Sequence, residues 1–404
     1  MTKVMEGVRV LEVAEHTFVP AASALLADWG ADVIKIEHVE RGDAMRGIMS
    51  SGTVSTGGDV NLLFEHSNRG KRSLALDLTS PEGLDILFRL AARSDVFLTN
   101  KLPKVLKKLH IEVDDVRAHN PNIIYVRGTG QGAVGPEADR GAYDFLAFWS
   151  RGGVAYGLTR PEYGHVPGPG PGFGDSIGAM TIAGGIMGAL YHRERTGEAT
   201  VVDVSLLSSA MWAMGQSISI SKMMGFPMGP PPLDGAGRNP LVGNYLTADG
   251  RWVAICCLQA AHYWPIFAAT VGQPELGTDE RFATNDALLA NSADAVRIVT
   301  DLFASKSLAE WRETLADFPG QWAVVQDPLE VCDDPQAVAN GYVQQCATAD
   351  GTQFFLAAAP VHFDESAPVP SRGPEFNEHG DAILEDLGLD WDTIIDLKVR
   401  GVVA

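Results

Sequence analysis

The run Val8-Arg9-Val10-Leu11-Glu12-Val13 decides the fold class, because it begins an alternation of strands and helices that continues to residue 130. Residues 21–29 are apolar with helical spacing and stop at Gly30, and residues 31–37 form a second strand. Strands separated by helices of about 10 to 15 residues are typical of a doubly wound, mostly parallel sheet. We therefore predict an α/β protein with a large, Rossmann-like domain.

The alternation continues with three more strands, predicted at residues 73–78, 95–98 and 122–126, and a helix begins after Ser80 as N-cap.

The rest of the chain indicates a second, smaller folding unit. A Pro/Gly-rich loop at 161–174 leads into a helix at 176–194, and a second Pro/Gly-rich stretch at 224–237 is interpreted as a linker. Residues 243–325 then combine two strands around Asp249-Gly250 with helices, which predicts a smaller α+β domain.

Composition and charge exclude several classes of protein. The 404 residues favour two or three domains, and 51 acidic against 31 basic residues give a net charge of −20. Such a charge argues against nucleic acid or an anionic membrane surface as a partner. The longest uncharged apolar run, 176–190, is shorter than the roughly 20 residues of a membrane span, so we interpret it as a buried helix.

The cysteines and the N-terminal sequence indicate a cytoplasmic protein. The N-terminal residues contain no apolar stretch long enough for a signal peptide. The four cysteines have neither the spacing of a disulfide framework nor that of a zinc site, and we expect no metal.

One glycine motif suggests a dinucleotide-binding enzyme, but its surroundings do not fit. Gly130-Gln131-Gly132-Ala133-Val134-Gly135 follows a predicted strand and matches the G-x-G-x-x-G pattern. That pattern binds a pyrophosphate only where it opens a helix whose N-terminus faces the ligand. Here the polar stretch 136–141 follows, without apolar periodicity, so a nicotinamide-dependent dehydrogenase is not expected.

Asp175 is the strongest candidate for a catalytic residue. In Gly172-Phe173-Gly174-Asp175 it lies where a glycine-rich loop meets a helix rich in small residues. Glycines let a ligand approach the backbone closely, and the N–H groups of a helix start can stabilise developing negative charge. The alternative is that Asp175 is only the N-cap of this helix, since aspartate is among the commonest capping residues.

A set of motifs in fixed order extends over nearly the whole chain. They are Leu25-Leu26-Ala27-Asp28-Trp29-Gly30, Asn68-Arg69-Gly70-Lys71-Arg72-Ser73, Asn122-Ile123-Ile124-Tyr125, Tyr143-Asp144, Gly174-Asp175-Ser176, the stretch 184–198, Val202-Asp203-Val204-Ser205 and Asp334-Pro335-Gln336. In this order they resemble the family III coenzyme A transferases (CaiB/BaiF), relatives of formyl-CoA, carnitine-CoA and bile-acid-CoA transferases.

The resemblance implies a CoA transferase in which Asp175 is the nucleophile. The carboxylate would attack an acyl-CoA thioester to give an aspartyl anhydride, the thiolate would return to give an aspartyl-CoA thioester, and a carboxylic acid would then accept CoA. No permanently bound cofactor is implied, since acyl-CoA is a substrate. Family positions that contact CoA fall on this set of residues: His16, Thr17, His38, Lys71, Arg72, Asn100, Lys108, Thr129 and Tyr143.

Two basic clusters in this acidic chain support a ligand with phosphates. They are Lys71-Arg72 and the set Lys101, Lys104, Lys107 and Lys108. We expect both at the strand ends where open α/β sheets bind ligands, although a single surface lysine is more often only a solvated charge.

The chain departs from the family pattern at several positions. His38 replaces the usual arginine, and Phe18-Val19-Pro20 replaces the common Ala-Gly-Pro. The polyglycine loop of some oxalate-type members is absent, and Arg238 nearby is a candidate for the acceptor carboxylate or only a linker charge.

Two other functions stay open at this point. A racemase of the same fold would deprotonate the acyl α-carbon, but Tyr143 stands where those enzymes have histidine, with His16 or His165 as substitutes. A catalytically silent acyl-CoA-binding protein is the other.

The family further implies an interlocked homodimer, in which residues 1–224 and 326–404 form the large domain and 225–325 the small one.

Overall fold

In the computed structural model of the protein, which describes residues 2–47 and 60–404, the chain divides into two compact units. The larger contains Met1–Gly229 and Pro335–Ala404, and the smaller contains Pro230–Asp334. The smaller unit was predicted to end at residue 325. It spans Pro230–Asp334 instead of 225–325, and Glu330 in the added part forms an ion pair of 2.8 Å with Arg251 of the same unit.

Parallel strands form a six-stranded sheet in the larger unit, in the order β3-β2-β1-β4-β5-β6. Their bounds are β1 Arg9–Val13, β2 Asp32–His38, β3 Arg72–Leu76, β4 Val96–Thr99, β5 Ile124–Thr129 and β6 Val201–Ser205. Every neighbouring pair is parallel. The predicted large parallel sheet is confirmed, and β6 is an additional edge strand that the sequence did not predict.

Helices connect these strands and continue through both units. In the first part of the larger unit they are α1 Phe18–Asp28, α2 Leu62–Asn68, α3 Pro81–Ala91, α4 Pro103–Leu109, α5 Val113–Arg117, α6 Val154–Leu158, α7 Phe173–Thr196, α8 Leu206–Ala213 and α9 Gly215–Met224. The smaller unit contains α10 Ala260–Thr270, α11 Asn285–Ala290, α12 Ser292–Phe303, α13 Leu308–Thr314 and α14 Pro328–Asp333. The chain ends with α15 Pro335–Ala339, α16 Gly380–Asp386 and α17 Trp391–Val399.

Two apolar cores cover the two faces of the sheet. On one face, α1 and α7 pack together, with buried residues that include Leu26, Ala183 and Ile186. On the other face, helices α3 to α5 pack with α16 and α17 around residues such as Leu87 and Ile394. Helices on both faces make the sheet doubly wound.

Helix α7 owes its close packing to small residues. A Cβ atom at Gly178 would lie 2.3 Å from a ring carbon of Phe18 in α1, so only glycine fits there. By length and hydropathy alone α7 could cross a membrane, but Ala179, Ile182 and Ala183 are buried in the core. The predicted buried helix is therefore confirmed for one face, while Tyr191 on the other face is exposed.

The strand order places a topological switch point between β1 and β4. β1 pairs with β2 on one side and with β4 on the other, with Val10 opposite Val33 and Val96. The loops after β1 and β4 leave in opposite directions and open a crevice at the carboxyl ends of these strands. Ligands of open α/β sheets bind at this point.

The C-terminal segment returns to the large sheet. The strands β10 Val343–Ala347 and β11 Gln353–Ala357 form an antiparallel hairpin. At the chain end, Val403 bridges Leu76 at the end of β3, and the N–H of Asp77 donates to the carbonyl of Val402 at 2.9 Å.

The smaller unit combines an antiparallel sheet with helices, as predicted. Its strands are β7 Val242–Leu246, β8 Trp252–Cys256 and β9 Trp322–Val324, in that spatial order. Aromatic side chains such as Trp264, Phe303 and Trp311 fill its core.

Candidate active site

A cleft of about 550 Å³ opens at the carboxyl ends of β1, β4 and β5, at the switch point of the sheet. Five residues predicted from the sequence line it: His16, Asn100, Thr129, Tyr143 and Asp175. Its other lining residues are Glu15, Phe18, Arg41, Lys101, Leu102, Val105, Gly128, Gly130, Gly141, Ala142 and Leu206. The fold therefore brings His16 and Asp175, which are 159 positions apart in the sequence, to the same cleft.

Asp175 lies in the first turn of α7 but does not cap it. The helix begins at Phe173, and the N-cap residue is Gly172, whose φ of 65° is in the left-handed region that favours glycine. Asp175 is the third helical residue, and no side-chain cap bond is formed at this helix start. The interpretation of Asp175 as a mere N-cap is therefore wrong.

Asp144 provides the acceptor for the start of α7. Its Oδ2 accepts the N–H of Gly174 at 2.9 Å, and its buried Oδ1 has no hydrogen-bond partner among the described residues. Gly174 makes this approach possible, because a Cβ atom there would lie 2.4 Å from Asp144 Oδ1 and 2.3 Å from Phe148 Cγ. Asp144 thus fixes the backbone that carries Asp175.

The surroundings of Asp175 raise its pKa from 3.8 to about 7. Burial is the larger cause, because it disfavours the charged form, and the negative charge of Asp144 is the second. The pKa of Asp144 is raised as well, chiefly by burial and against the effect of the N–H groups of Gly174 and Asp175. Near neutral pH Asp175 is therefore a mixture of carboxylate and carboxylic acid.

Two of the first amides of α7 are used within the protein. The N–H of Gly174 donates to Asp144 Oδ2 at 2.9 Å, and the N–H of Ser176 donates to the carbonyl of Gly172 at 2.9 Å. The expectation that N–H groups of this helix start stabilise an oxyanion therefore stays a prediction, and it concerns the remaining amides only.

A buried ionic network holds the loop after β1 beneath the cleft. Glu12 and Lys35 are opposite each other in the β1–β2 register, and Lys35 Nζ contacts Glu12 Oε1 at 2.9 Å and Asp43 Oδ2 at 2.6 Å. Asp43 Oδ1 in turn accepts the N–H of His16 at 3.0 Å. This bond supports the left-handed conformation of His16, whose φ is 69°.

Lys71 belongs to the same network, which contradicts its prediction as a CoA phosphate ligand. Its fully buried Nζ donates to Glu12 Oε2 at 2.8 Å, to the carbonyl of Pro20 at 2.8 Å and to Asn68 Oδ1 at 3.0 Å. An ammonium group has three N–H donors, so none remains for a phosphate. Burial lowers the pKa of Lys71 to about 8, and the charge of the neighbouring Lys35 is a smaller cause in the same direction.

Arg72 was also expected at the ligand-binding edge, and that placement is wrong. It is the first residue of β3, so it lies at the amino-terminal edge of a parallel sheet whose cleft is at the carboxyl edge. Its guanidinium makes two hydrogen bonds to Asp32, of 2.9 and 2.6 Å. The predicted strand at 73–78 already placed Lys71-Arg72 before the strand, so the sequence itself indicated the amino-terminal edge.

The other predicted residues of the cleft have distinct surroundings. The Asn100 side chain accepts the N–H of Glu15 at 3.2 Å and donates to its carbonyl at 2.7 Å, which ties the loop after β1 to the end of β4. Thr129 Oγ1 accepts the N–H of Gly132 at 3.1 Å. Tyr143 is 64% exposed, and its ring meets that of His16 edge-on at a centroid distance of 5.5 Å.

Thr17 and the glycine motif contribute less directly. Thr17 is buried at the start of α1, next to Gly172, and is outside the lining of the cleft. Residues 130–135 form an irregular turn and open no helix, as expected for a chain that does not use this motif as a dinucleotide site.

A second cavity of about 250 Å³ adjoins the cleft and contains the remaining predicted residues, His38 and Lys108. The two cavities share Glu15, Arg41, Lys101 and Val105. The second cavity is largely apolar, with lining residues Val13, Ile36, Glu37, Leu76, Asp77, Leu78, Thr79 and Leu109 in addition to those already named. Together they form a continuous groove along the carboxyl edge from β3 to β5.

Sequence reasoning missed Asp144 as a partner of Asp175, and it missed Glu15 and Arg41 altogether. A signal existed only for the buried network, since Glu12 and Lys35 are charged residues in the middle of apolar strands and each needs a buried partner. Arg238, in the smaller unit, donates to the carbonyl of Val242 at 3.1 Å and to Tyr245 Oη at 3.2 Å. Over residues 2–47 and 60–404, no group of three or more His, Cys, Asp or Glu side chains is arranged to hold a metal.

Comparison with known proteins identifies the family. The model of CoA-transferase family III matches residues 5–380. The chain belongs to this family. The resemblance seen in the motifs is thereby confirmed, and the protein is a family III CoA transferase.

Relatives of this transferase are similar over their whole lengths. It is 31% identical to (R)-2-hydroxy-4-methylpentanoate CoA-transferase of Clostridioides difficile, over 99% of both chains. It is also 31% identical to cinnamoyl-CoA:phenyllactate CoA-transferase of Clostridium sporogenes, over 98% of this chain and 96% of the relative. A crystal structure of a CaiB/BaiF family protein from Brucella suis superimposes with a TM-score of 0.80 at 28% identity, and covers 96% of this chain and 100% of its own.

Proposed function

We propose that this transferase moves CoA from an acyl-CoA to a carboxylic acid through covalent intermediates on Asp175. The observation that carries the proposal is the place of Asp175, a half-buried carboxyl group of pKa about 7 facing the cleft at the switch point. A carboxylate with a raised pKa is a better nucleophile than an ordinary one, and near neutral pH a substantial fraction is ionised.

The reaction proceeds in balanced acyl transfers. An Asp175 oxygen attacks the thioester carbonyl, the C–S bond breaks, and CoA leaves as thiolate from a mixed anhydride. The thiolate attacks the aspartyl carbonyl and releases the donor acid, leaving an aspartyl-CoA thioester. The acceptor carboxylate attacks this thioester to form a second anhydride, and the thiolate then takes the acceptor acyl group and frees Asp175. The cleft must exclude water, since an anhydride hydrolyses readily.

The groove gives each part of the substrate a place. We propose that the thioester lies beside Asp175, and that the CoA chain passes into the second cavity, where apolar walls suit the adenine ring and Lys108 suits a phosphate. His38 lies in the same cavity, and its Nδ1 accepts the N–H of Glu40 at 3.2 Å, so that nitrogen does not donate to a phosphate.

Trapping tests the covalent step. The enzyme is incubated with an acyl-CoA, treated with borohydride or hydroxylamine, digested and examined by mass spectrometry. We expect modification at Asp175, reduced to background in Asp175→Asn, and retained in the exposed control Asp139→Asn. Turnover with an unmodified Asp175 would refute the mechanism.

The two alternatives predict different results. A racemase would place solvent deuterium at the acyl α-carbon without any acceptor acid, using His16 and Asp175, which line the same cleft. A silent binding protein would bind CoA equally well in the wild type and in Asp175→Ala and would react with no donor and acceptor pair. CoA exchange that requires both substrates supports the transferase against each of them.

We propose an acceptor acid with a hydroxyl group on its second carbon. The names of several relatives contain such acids: 2-hydroxy-4-methylpentanoate, phenyllactate, L-malate and D-citramalate. The polar groups of His16 and Tyr143 stand in the cleft and can hydrogen-bond a hydroxyl. The test compares matched acids with and without the 2-hydroxyl in kcat/KM; equal values would refute this substrate class.

We also propose a homodimer. The larger unit exposes large apolar side chains on α8 and α9, among them Trp212 at 88% and Met223 at 85%. Large exposed apolar side chains on two neighbouring helices normally mark an interface. Light scattering is expected to give twice the mass of one chain. If the two chains are interlocked, as in the family, tagged and untagged dimers will exchange subunits only after unfolding, and exchange under native conditions would refute the interlocking.

A further inference from the structure

A charged cluster occupies the junction between the two cavities, and no role has been assigned to it. The junction cluster consists of Glu15, Arg41 and Lys101, which line both cavities. Lys101 follows β4, Glu15 lies in the loop after β1, and Arg41 lies in the loop after β2. Any ligand that extends from Asp175 into the second cavity must pass this cluster.

Both cations of the junction cluster approach the same carboxylate oxygen. Glu15 Oε1 is 3.1 Å from Lys101 Nζ and 3.8 Å from Arg41 Nη2. The side chains of Glu15 and Lys101 are each 20% exposed, and that of Arg41 is 66% exposed. The contact to Arg41 is longer than a hydrogen bond, so its guanidinium keeps donors that a second anion can use.

The backbone of Glu15 is fixed while its carboxylate is not. Asn100 bonds both the N–H and the carbonyl of Glu15. The only ion pairs of the carboxylate within the described ranges 2–47 and 60–404 are those to Arg41 and Lys101. The carboxylate can therefore rotate away without disturbing the loop that carries it.

We infer that Arg41 and Lys101 bind a phosphate of CoA, and that Glu15 is an internal counter-ion which this phosphate displaces. This inference rests on the proposed function. A carboxylate between two cations stands where an anionic ligand group would bind, and the diphosphate and 3′-phosphate of CoA together carry more charge and more acceptor oxygens than one carboxylate. The displaced Glu15 leaves two positive charges for the ligand.

The cluster also accounts for the departure at His38. Where the family usually has arginine, this chain has a histidine whose Nδ1 is occupied by the N–H of Glu40. Arg41, three residues later, places a guanidinium at the edge of the same cavity. The permanent charge is thus retained at a different position of the loop.

Glu15 further gives the site selectivity. A ligand without phosphates, such as a pantetheine thioester, cannot replace the carboxylate in its ion pairs and gains no attraction from the two cations. A ligand with phosphates replaces the carboxylate by forming stronger ion pairs there. Glu15 thus weakens the binding of CoA and discriminates against incomplete substrates.

Calorimetric binding tests the inference with CoA and with pantetheine as probes. We expect Arg41→Ala to raise the Kd of CoA about tenfold, and Glu15→Gln to lower it about threefold or more, because the first removes a phosphate partner and the second removes a competitor. Neither change is expected to move the Kd of pantetheine upward by more than about twofold. Arg41→Lys is expected to retain most of the affinity for CoA.

Arg297→Ala is the matched control, because Arg297 is an exposed arginine paired with carboxylates in the smaller unit. Its Kd for CoA is expected to equal that of the wild type. Unchanged affinity for CoA in both Arg41→Ala and Glu15→Gln, or an equal loss for CoA and pantetheine, would overturn the inference alone. A wild-type protein that does not bind CoA at all would instead overturn the proposed function.

Discussion

Replacing Asp175 with asparagine removes a carboxyl group that costs stability whenever it is ionised. The pKa of Asp175 is raised from 3.8 to about 7 by burial and by the charge of Asp144. Between these two values the folded protein binds more protons at this site than the unfolded chain does. The stability of the wild type therefore falls as the pH rises from about 4 to about 7, and the full cost is present above pH 7.

The magnitude follows from the two pKa values. With about 1.4 kcal/mol per pKa unit, ionising Asp175 costs the folded state about 2 kcal/mol at pH 5 and about 4 kcal/mol at pH 8. The difference is about 2–3 kcal/mol, and the opening of the site to the cleft reduces the expected value to about 2 kcal/mol. We therefore expect Asp175→Asn to gain this much stability relative to wild type between the two pH values.

Urea unfolding followed by circular dichroism measures this difference at about pH 5 and about pH 8. Protein concentration is held constant, because a dimer would make stability depend on it. The control is Asp85→Asn, on the exposed face of α3, which is expected to change little between the two conditions. A gain for Asp175→Asn that is equal at both pH values, or larger at pH 5, would show that the pKa of Asp175 is not raised.

Three further substitutions probe the site. In Asp144→Asn the acid limb of the pH profile of kcat/KM is expected to move to lower pH, since the charge that raises the pKa of Asp175 is gone; an unmoved limb would contradict their coupling. Gly174→Ala is expected to cost more than about 2 kcal/mol in urea unfolding, because its Cβ atom would lie 2.3 Å from a buried ring carbon. Lys71→Met is expected to lose about 3–5 kcal/mol by leaving Glu12 underpaired, with the Kd of CoA changed less than about twofold in the folded protein; a large selective rise in that Kd would restore a phosphate role for Lys71.

The alternation of apolar strands and helices was sufficient to predict the large sheet, because buried parallel strands leave continuous apolar runs. The edge strand β6 has the sequence Val201-Val202-Asp203-Val204-Ser205, in which Asp203 pairs with Arg127 of β5 at 2.6 Å. Its composition resembles that of β1, and it was missed because the alternation of strands and helices was followed only to residue 130. The order of the strands, and hence the switch point, depends on which helices pack together across the sheet, and no local pattern records that.

Residues of the candidate site could be predicted where neighbouring residues in the sequence indicate their role, and could not where the role depends on distant residues. Asp175 stood out because its glycines and its helix start are adjacent in sequence, but this local pattern also fits an N-cap, and the resemblance to the CoA transferases assigned it as the nucleophile. Asp144, which bonds Gly174 from 30 positions earlier in the sequence, has no local signal. Lys71 was misplaced because charge alone does not tell a solvated lysine from a buried one. The opposite charge of Glu12, in the middle of a buried strand, was the observation that could have corrected it.

The buried network beneath the cleft has a consequence for how this enzyme can acquire new substrates. Glu12, Lys35 and Asp43 fix the position of His16. A substitution of any one of them would leave its charged or polar partners buried without a hydrogen-bond partner or water. The base of the cleft is therefore closed to gradual change, whereas Tyr143, on its exposed wall, can vary at little cost in stability. Variant libraries that seek a new acyl specificity are best confined to residues of the cleft walls, because the residues of the buried network below them depend on one another and cannot be changed singly.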